Sequence, residues 1–76
     1  MKIDGKIVAN ELRSLRLKRR LSAEDVCKNV GINTTSLYKY ERDASVLKME
    51  TLIKMLEYYE TNAYIFFKII SEYNHE

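Results

Sequence analysis

Apolar residues recur at intervals of three and four along almost the whole chain, and no alternating pattern typical of a strand persists. No proline and only two glycines interrupt this pattern. The periodicity predicts five helices, over residues of about 5–19, 23–30, 34–42, 48–59 and 62–74. The predicted fold class is therefore all-α, a compact five-helix arrangement in a single domain over residues 1–76.

Polar residues stand where the predicted helices begin. Asp4, Ser22, Asn33 and Asn62 each precede a helical segment, and such side chains accept hydrogen bonds from the free N–H groups of a first turn. Gly31 follows the second helix, at a position where a left-handed residue commonly ends a helix. The sequence therefore predicts two short helices, joined by a three-residue turn at residues 31–33.

The composition argues against an enzyme and against a metal or cofactor. Cys27 is the only thiol and His75 the only imidazole, so no catalytic Cys/His pair or metal cluster is available. Cys27 is interpreted as a small buried residue rather than a redox sensor, and a lone cysteine fits a reducing compartment. No apolar run approaches the roughly 20 residues of a membrane span. We expect a cytoplasmic protein with no membrane partner.

Charge is distributed unevenly along the chain. Residues 1–42 carry ten Lys/Arg against five Asp/Glu, a net charge of +5, whereas residues 43–76 carry three against six, a net charge of −3. The basic half includes the run Lys18-Arg19-Arg20. A basic surface on one side of a small domain is typical of a protein that binds a polyanion, although a merely solvated helix face would have the same composition.

Two short helices joined by a turn with a glycine are typical of the helix-turn-helix motif, whose second helix enters the DNA major groove. The predicted inner face of that second helix carries Leu37, Tyr40 and Glu41. Its outer face offers hydroxyl and basic groups that suit base edges and phosphates. The base-reading candidates are Thr34, Thr35, Tyr38 and Lys39. The candidates for contact with the DNA backbone are Ser22, Ala23, Asn33, Ser36, Arg42 and Lys48.

The chain resembles the lambda-repressor-like (Xre/Cro-type) helix-turn-helix family. The resemblance rests on Leu12-Arg13-x-Leu15-Arg16, on Leu21-Ser22-x-Glu24-x-Val26-x-x-x-Val30-Gly31-Ile32-Asn33-x-x-x-Leu37-x-x-Tyr40-Glu41-Arg42 and on Met49-Glu50-Thr51-Leu52-x-Lys54. It implies a five-helix repressor of bacterial or phage origin that acts on a double-stranded DNA operator at the nucleoid. It also implies that the loop before Lys48 lies along the DNA backbone. The chain departs from the family pattern at Ala23, where glutamine is usual, and at Arg20, where helix one often ends in glycine.

Two further predictions concern packing. Arg16 lies beside the apolar stripe of the first helix and Glu41 on the inner face of the third, so we expect an ion pair between them, as the resemblance also implies. The last helix has an apolar sector wider than the stripe of about 100° that one surface helix needs. We interpret the excess as a homodimer contact formed by Phe66, Ile69, Ile70 and Tyr73. The alternative is that this helix only covers its own core.

A second class of function fits the same residues. A protein-interaction module of this fold, such as an antitoxin or antirepressor, would act through the acidic second half and the apolar last helix on a partner protein. Salt-dependent binding to random duplex DNA separates the two hypotheses, because phosphate neutralisation makes affinity fall steeply with salt.

Overall fold

The computed structural model describes residues 4–73, so His75 and the predicted end of the last helix at residue 74 lie outside the described part of the chain. The described residues form α1 (Gly5–Lys18), α2 (Ala23–Val30), α3 (Thr34–Tyr40), a 3-10 helix (Ala44–Val46), α4 (Met49–Tyr58) and α5 (Ala63–Tyr73). The predicted all-α, five-helix fold is confirmed. The predicted ends of α1 at Arg19 and α3 at Arg42 were too late by one and two residues.

The predicted N-terminal caps are present, and this is why the helix starts agree so closely. The acceptor is the side chain of the cap residue and the donor is a backbone N–H two or three residues later. The pairs are Asp4 with Lys6 at 2.8 Å, Ser22 with Asp25 at 3.1 Å, Asn33 with Ser36 at 2.7 Å and Asn62 with Tyr64 at 2.7 Å.

Three helices end on a residue in the left-handed backbone conformation. Gly31 has φ 87°, whereas Arg20 after α1 and Glu60 after α4 both have φ 56°. After each of these residues, the next backbone N–H donates to a carbonyl five residues earlier, at 3.1 to 3.3 Å for Leu21 and Ile32. This is the Schellman arrangement, which satisfies carbonyls that a helix end leaves free. Only at Gly31 does the chain place the residue type that adopts this conformation without strain.

The core lies where α1, α2, α4 and α5 converge beneath α3. Its most deeply buried large side chains are Tyr59, Phe66, Leu12, Leu37, Met55, Leu56, Ile70 and Val26. Cys27 is buried as predicted, and burial raises the pKa of its thiol above the usual range, which keeps it a neutral packing residue. Tyr40, predicted to face inward, is only half-buried.

The segment between α3 and α4 forms the 3-10 helix and packs on the start of α1. Asp43 caps it by accepting hydrogen bonds from the Ser45 hydroxyl and the Ser45 N–H, which hold the pKa of Asp43 below its usual range. The close approach depends on Gly5. A Cβ atom at Gly5 would lie 2.8 Å from the Ser45 backbone nitrogen, closer than real Cβ atoms come.

Candidate nucleic-acid interface

The motif helices α2 and α3 are connected by the turn at residues 31–33 and pack against each other. Val26, Cys27 and Val30 bury the inner side of α2, and Leu37 is the fully buried residue of α3. One side of α3 is therefore fixed to the core. Its opposite side remains available to a partner.

The outward side of α3 is polar and basic. Thr35 and Lys39 on α3 and Arg42 just after it are exposed, and Tyr38 retains 47% of its surface. Within residues 4–73, Lys39 and Arg42 form no ion pair. Thr34, the first residue of the helix, is half-buried, so its side chain is less accessible than that of Thr35.

The candidates for contact with the DNA backbone differ in what they have left to donate. The oxygens of Ser22 and Asn33 already accept cap hydrogen bonds, but the Ser22 hydroxyl hydrogen and the Asn33 amide hydrogens remain. The Ser36 backbone N–H is used by the Asn33 cap. Lys48 is exposed at the start of α4, where its ammonium group is a donor only and cannot accept a cap hydrogen bond from the first turn.

The side chain of Ala23 is not available to the DNA backbone, so the predicted contact is limited to the backbone N–H in the first turn of α2. The residue retains 3% of its surface because it packs into the core at the start of α2. A buried methyl group has nothing to donate to a phosphate. At this position the chain uses a small side chain to bring α2 close to its neighbours.

The expected ion pair between Arg16 and Glu41 is present. The Arg16 Nε donates to one Glu41 carboxylate oxygen at 2.7 Å and Nη2 to the other at 3.0 Å, while Nη1 donates to the Leu21 carbonyl at 3.1 Å. The hydrogen bond to Glu41 raises the pKa of Arg16, outweighing its partial desolvation. Only 11% and 3% of the two side chains are exposed. The pair therefore ties α1 to the end of α3.

The basic run at the end of α1 is not wholly free. Arg19 Nη1 donates to Glu60 Oε1 at 2.9 Å and joins the end of α1 to the turn after α4. Lys18 and Arg20 are exposed and form no ion pair within the described residues. Of the three cations, these two are the ones available to a phosphate.

The predicted dimer contact on α5 needs correction. Phe66 and Ile70 retain 0% and 1% of their surface, because they pack into the core of their own chain. Ile69 is half-buried and Tyr73 retains 63%. Ile65, which the sequence analysis missed, retains 53%. It precedes Ile69 by four residues and Tyr73 by eight, so these three form one row along the edge of α5.

No group of three or more His, Cys, Asp or Glu within residues 4–73 is placed to hold a metal ion. In that same range, no helix is long and apolar enough to cross a membrane.

Comparisons with known proteins agree with this geometry. No curated protein sequence matches the chain. The wild-type restriction-modification controller protein C.Esp1396I, in a triclinic crystal form, is similar with a TM-score of 0.82 and 19% identity over 90% of this chain and 88% of that chain. An arginine-to-alanine variant of that protein, in a trigonal form, is similar with a TM-score of 0.83 and 18% identity over 93% and 95%.

At such low identity, what these structures share with the chain is the fold. A family model described as a helix-turn-helix domain matches residues 7–63, which include all of α2, α3 and α4. The chain therefore belongs to the helix-turn-helix domain family of DNA-binding regulators.

Proposed function

We propose that this helix-turn-helix regulator is a repressor that binds a double-stranded operator as a symmetric homodimer, with α3 in the major groove. The observation that carries the proposal is that Thr35 and Lys39 on the outward side of α3, and Arg42 just after it, are exposed and form no ion pair with any residue of the described range. Exposed donors without partners are what base edges and phosphates require. The bacterial cytoplasm, at the nucleoid, is the proposed site of action.

Thr35 and Lys39 are the proposed base-reading pair. They are four residues apart, about one helical turn, so both side chains reach the floor of the groove together. Lysine donates to the guanine acceptors, and threonine offers a hydroxyl and a methyl group. Half-buried Thr34 supports the start of the helix and reads less. Tyr38, with 47% of its surface exposed at the edge of this side, reaches a thymine methyl or the sugar-phosphate backbone.

Register on the duplex is proposed to come from backbone contacts on both sides of α3. Arg42 and Lys48 supply charge, and Ser22 supplies a hydroxyl hydrogen at the start of α2. Asn33 and Ser36 contribute through the amide and hydroxyl hydrogens that capping leaves free. Such contacts position the protein without reading sequence.

The dimer is proposed to form along the row Ile65, Ile69 and Tyr73 of α5. A two-fold pair is the commonest assembly, and an apolar row that the core does not cover suits a second copy of the chain. The operator should then be an inverted repeat whose half-site centres lie one helical turn, about 34–36 Å, apart.

The DNA part of the proposal is tested by selecting the operator from a random duplex library and measuring affinity on it and on random duplex. Lys39→Ala should weaken the selected operator by roughly 1–3 kcal/mol and relax preference at one base pair. Arg42→Ala should weaken both duplexes alike and lower the salt slope by about one. Equal losses on both duplexes for Lys39→Ala would make Lys39 a phosphate contact instead.

The dimer is tested by sedimentation of the wild-type chain at tens of micromolar. The wild type should be a dimer and Ile65→Glu a monomer of unchanged helix content. Tyr64→Glu is the matched control, since Tyr64 is 75% exposed on the same helix but outside the row. A monomeric wild type, or loss of the dimer in both variants, would refute the proposed interface.

A further inference from the structure

A depression of about 320 Å³ opens between α1 and the carboxyl end of α3, and not between the two motif helices. It is lined by Arg13, Arg16, Tyr38, Glu41 and Arg42. Three of these five side chains are arginines, contributed by α1 and by the residues after α3. Such a concentration of guanidinium groups in one concave site favours the binding of an anion.

The charge of the depression comes from Arg13 and Arg42. Arg16 also lines it, but Glu41 neutralises Arg16 through the buried pair. Arg13 and Arg42 are both exposed, and neither forms an ion pair within residues 4–73. Two uncompensated cations, one on α1 and one just after α3, therefore line one space. A guanidinium group offers forked donors that match phosphate oxygens, and phosphate is the anion that such a pair holds best.

The depression is continuous with the outward side of α3. Tyr38 and Arg42 line it; Tyr38 follows Thr35 by three residues on that side, and Arg42 lies two residues beyond the end of α3. A duplex with its bases against Thr35 and Lys39 would therefore pass one of its strands over the depression. Tyr38 is one of the lining residues, and its hydroxyl group is a further possible donor.

We propose that this depression holds one backbone phosphate of the bound DNA, clamped between Arg13 and Arg42. The inference rests on the proposed DNA binding and adds to it a residue of α1, Arg13, as an anchor outside the two motif helices. Tyr38 is then a backbone contact. Free inorganic phosphate has the same chemistry, but two exposed cations alone hold a free ion weakly because solvent screens them.

The test measures binding of the full chain to random duplex over a series of salt concentrations. Arg13→Gln should reduce the slope of log affinity against log salt by about 0.9, the value for one phosphate. If the two affinities are equal at 1 M salt, a slope lower by 0.9 makes the affinity of the variant about eightfold weaker than that of the wild type at 0.1 M salt. Arg13→Lys retains the charge and should recover most of the slope. Both substitutions are at an exposed position and should leave thermal unfolding unchanged.

Lys54→Gln is the matched control, because it also removes one exposed cation but from the outer side of α4. It should leave the slope unchanged. The double variant Arg13→Gln, Arg42→Gln should lose less than the product of the two single losses, since both residues hold the same phosphate. Adding inorganic phosphate, at constant ionic strength, should compete only weakly with the duplex.

The outcomes separate the clamp from the proposed function. If the wild type shows no salt-dependent duplex binding, DNA binding itself fails. If the wild type binds and Arg13→Gln matches it, the clamp is wrong and DNA binding stands. Equal losses in Arg13→Gln and Lys54→Gln would show an effect of net charge alone, and a loss confined to the selected operator would make Arg13 a sequence reader. Strong competition by inorganic phosphate would make the depression a site for the free ion.

Discussion

Helices α3 and α5 each pack one side against the core and expose the other side. On α3 the exposed side carries Thr35 and Lys39, and Arg42 follows just after the helix; all three are polar or basic. On α5 the exposed side carries Ile65 and Tyr73, which are large and retain 53% and 63% of their surface. The two helices therefore suit different partners, since donors and cations suit a nucleic acid and an apolar row suits another protein surface.

The largest effect is expected where α3 is fastened to the core. Glu41→Ala should lower the free energy of unfolding by about 3–5 kcal/mol, because it strands the buried charge of Arg16. Arg19→Ala is the matched control. It breaks an ion pair of similar length, 2.9 Å against 2.7 Å, in which 40% and 78% of the side chains are exposed.

Exposed pairs contribute about 1 kcal/mol or less, so Arg19→Ala should have a small effect. Denaturant unfolding of both variants measures the difference. If Glu41→Ala lowers stability by no more than Arg19→Ala, the buried pair does not hold α3 in place.

The two sides of α5 are compared by a pair of isoleucines. Ile70→Ala should destabilise the monomer by about 2–5 kcal/mol, because Ile70 retains 1% of its surface and its loss leaves a cavity. Ile65→Ala should change monomer stability by less than about 0.5 kcal/mol. At high protein concentration Ile65→Ala should weaken the dimer. Equal destabilisation of the dilute monomer by both variants would mean that α5 has no exposed side.

The sequence predicted the helices of this fold better than it predicted their surroundings. Caps such as Asn33 and the left-handed Gly31 act within a few residues, so the local pattern located the helix ends to within one or two positions. Helical periodicity identifies which residues share a side, but not how much of that side other helices cover. Phe66 and Ile70 were therefore assigned to a dimer contact although they are core, and Ile65 was missed.

Other features carried no sequence signal. Ala23 stands where the family pattern has a polar residue, and only the packing shows it buried. The depression depends on α1 and the residues after α3 coming together at Arg13 and Arg42, which lie far apart in sequence. The close contact of Gly5 with the 3-10 helix has the same origin. Contacts between segments that are far apart in the chain could not be predicted, because the local pattern of a single sequence carries no signal for them.

The packing beneath the end of α3 is tested at Gly5. Alanine ordinarily stabilises a helix by about 0.5–1 kcal/mol relative to glycine. Gly5→Ala should instead destabilise by roughly 1–3 kcal/mol, because the new Cβ would lie 2.8 Å from the Ser45 nitrogen and displace the 3-10 helix. Asn10→Ala, at an exposed position of α1, should be neutral or slightly stabilising. A stabilising Gly5→Ala would show that the 3-10 helix moves freely.

The core below both helices contains one polar group that is better removed. The Tyr59 hydroxyl is buried and has no hydrogen-bond partner among the described residues. Tyr59→Phe should therefore raise the free energy of unfolding by about 1 kcal/mol at neutral pH. Tyr58→Phe is the control, since Tyr58 is half-buried and its hydroxyl accepts from Asn29 at 3.3 Å. Loss of stability in Tyr59→Phe would mean that the hydroxyl is satisfied in solution.

The same hydroxyl predicts a dependence on alkaline pH. Burial raises the pKa of Tyr59 well above its usual range, with a smaller contribution from nearby Glu41. The pKa of Tyr59 is higher in the folded than in the unfolded protein. The stability that the neutral hydroxyl retains is therefore fully present below the unfolded pKa of about 10, and it is lost as the pH rises above that value. The wild type should therefore lose stability above pH ~10 more steeply than Tyr59→Phe, by up to about 1.4 kcal/mol per pH unit. Parallel curves would show that the hydroxyl does not resist ionisation.

The smallest expected effect lies at the end of α1, where Arg20 adopts φ 56° without being glycine. Arg20→Gly should stabilise the fold by about 0.5 kcal/mol, since relief of the left-handed strain exceeds the added entropy of the unfolded chain. Gly31→Ala is the reciprocal control. It has φ 87° and open space around it, so its loss of about 1 kcal/mol would be purely conformational.

Thermal unfolding measures both changes at the helix ends, and the salt slope of duplex binding is measured alongside because Arg20 is also an exposed cation. A stabilised Arg20→Gly whose salt slope falls by about 0.9 would make Arg20 a phosphate contact retained at the expense of helix geometry. A stabilised variant with an unchanged slope would leave α3, its neighbouring depression and Lys48 to hold the DNA. A destabilised Arg20→Gly would show that the side chain of Arg20 stabilises the fold by more than its left-handed backbone conformation costs.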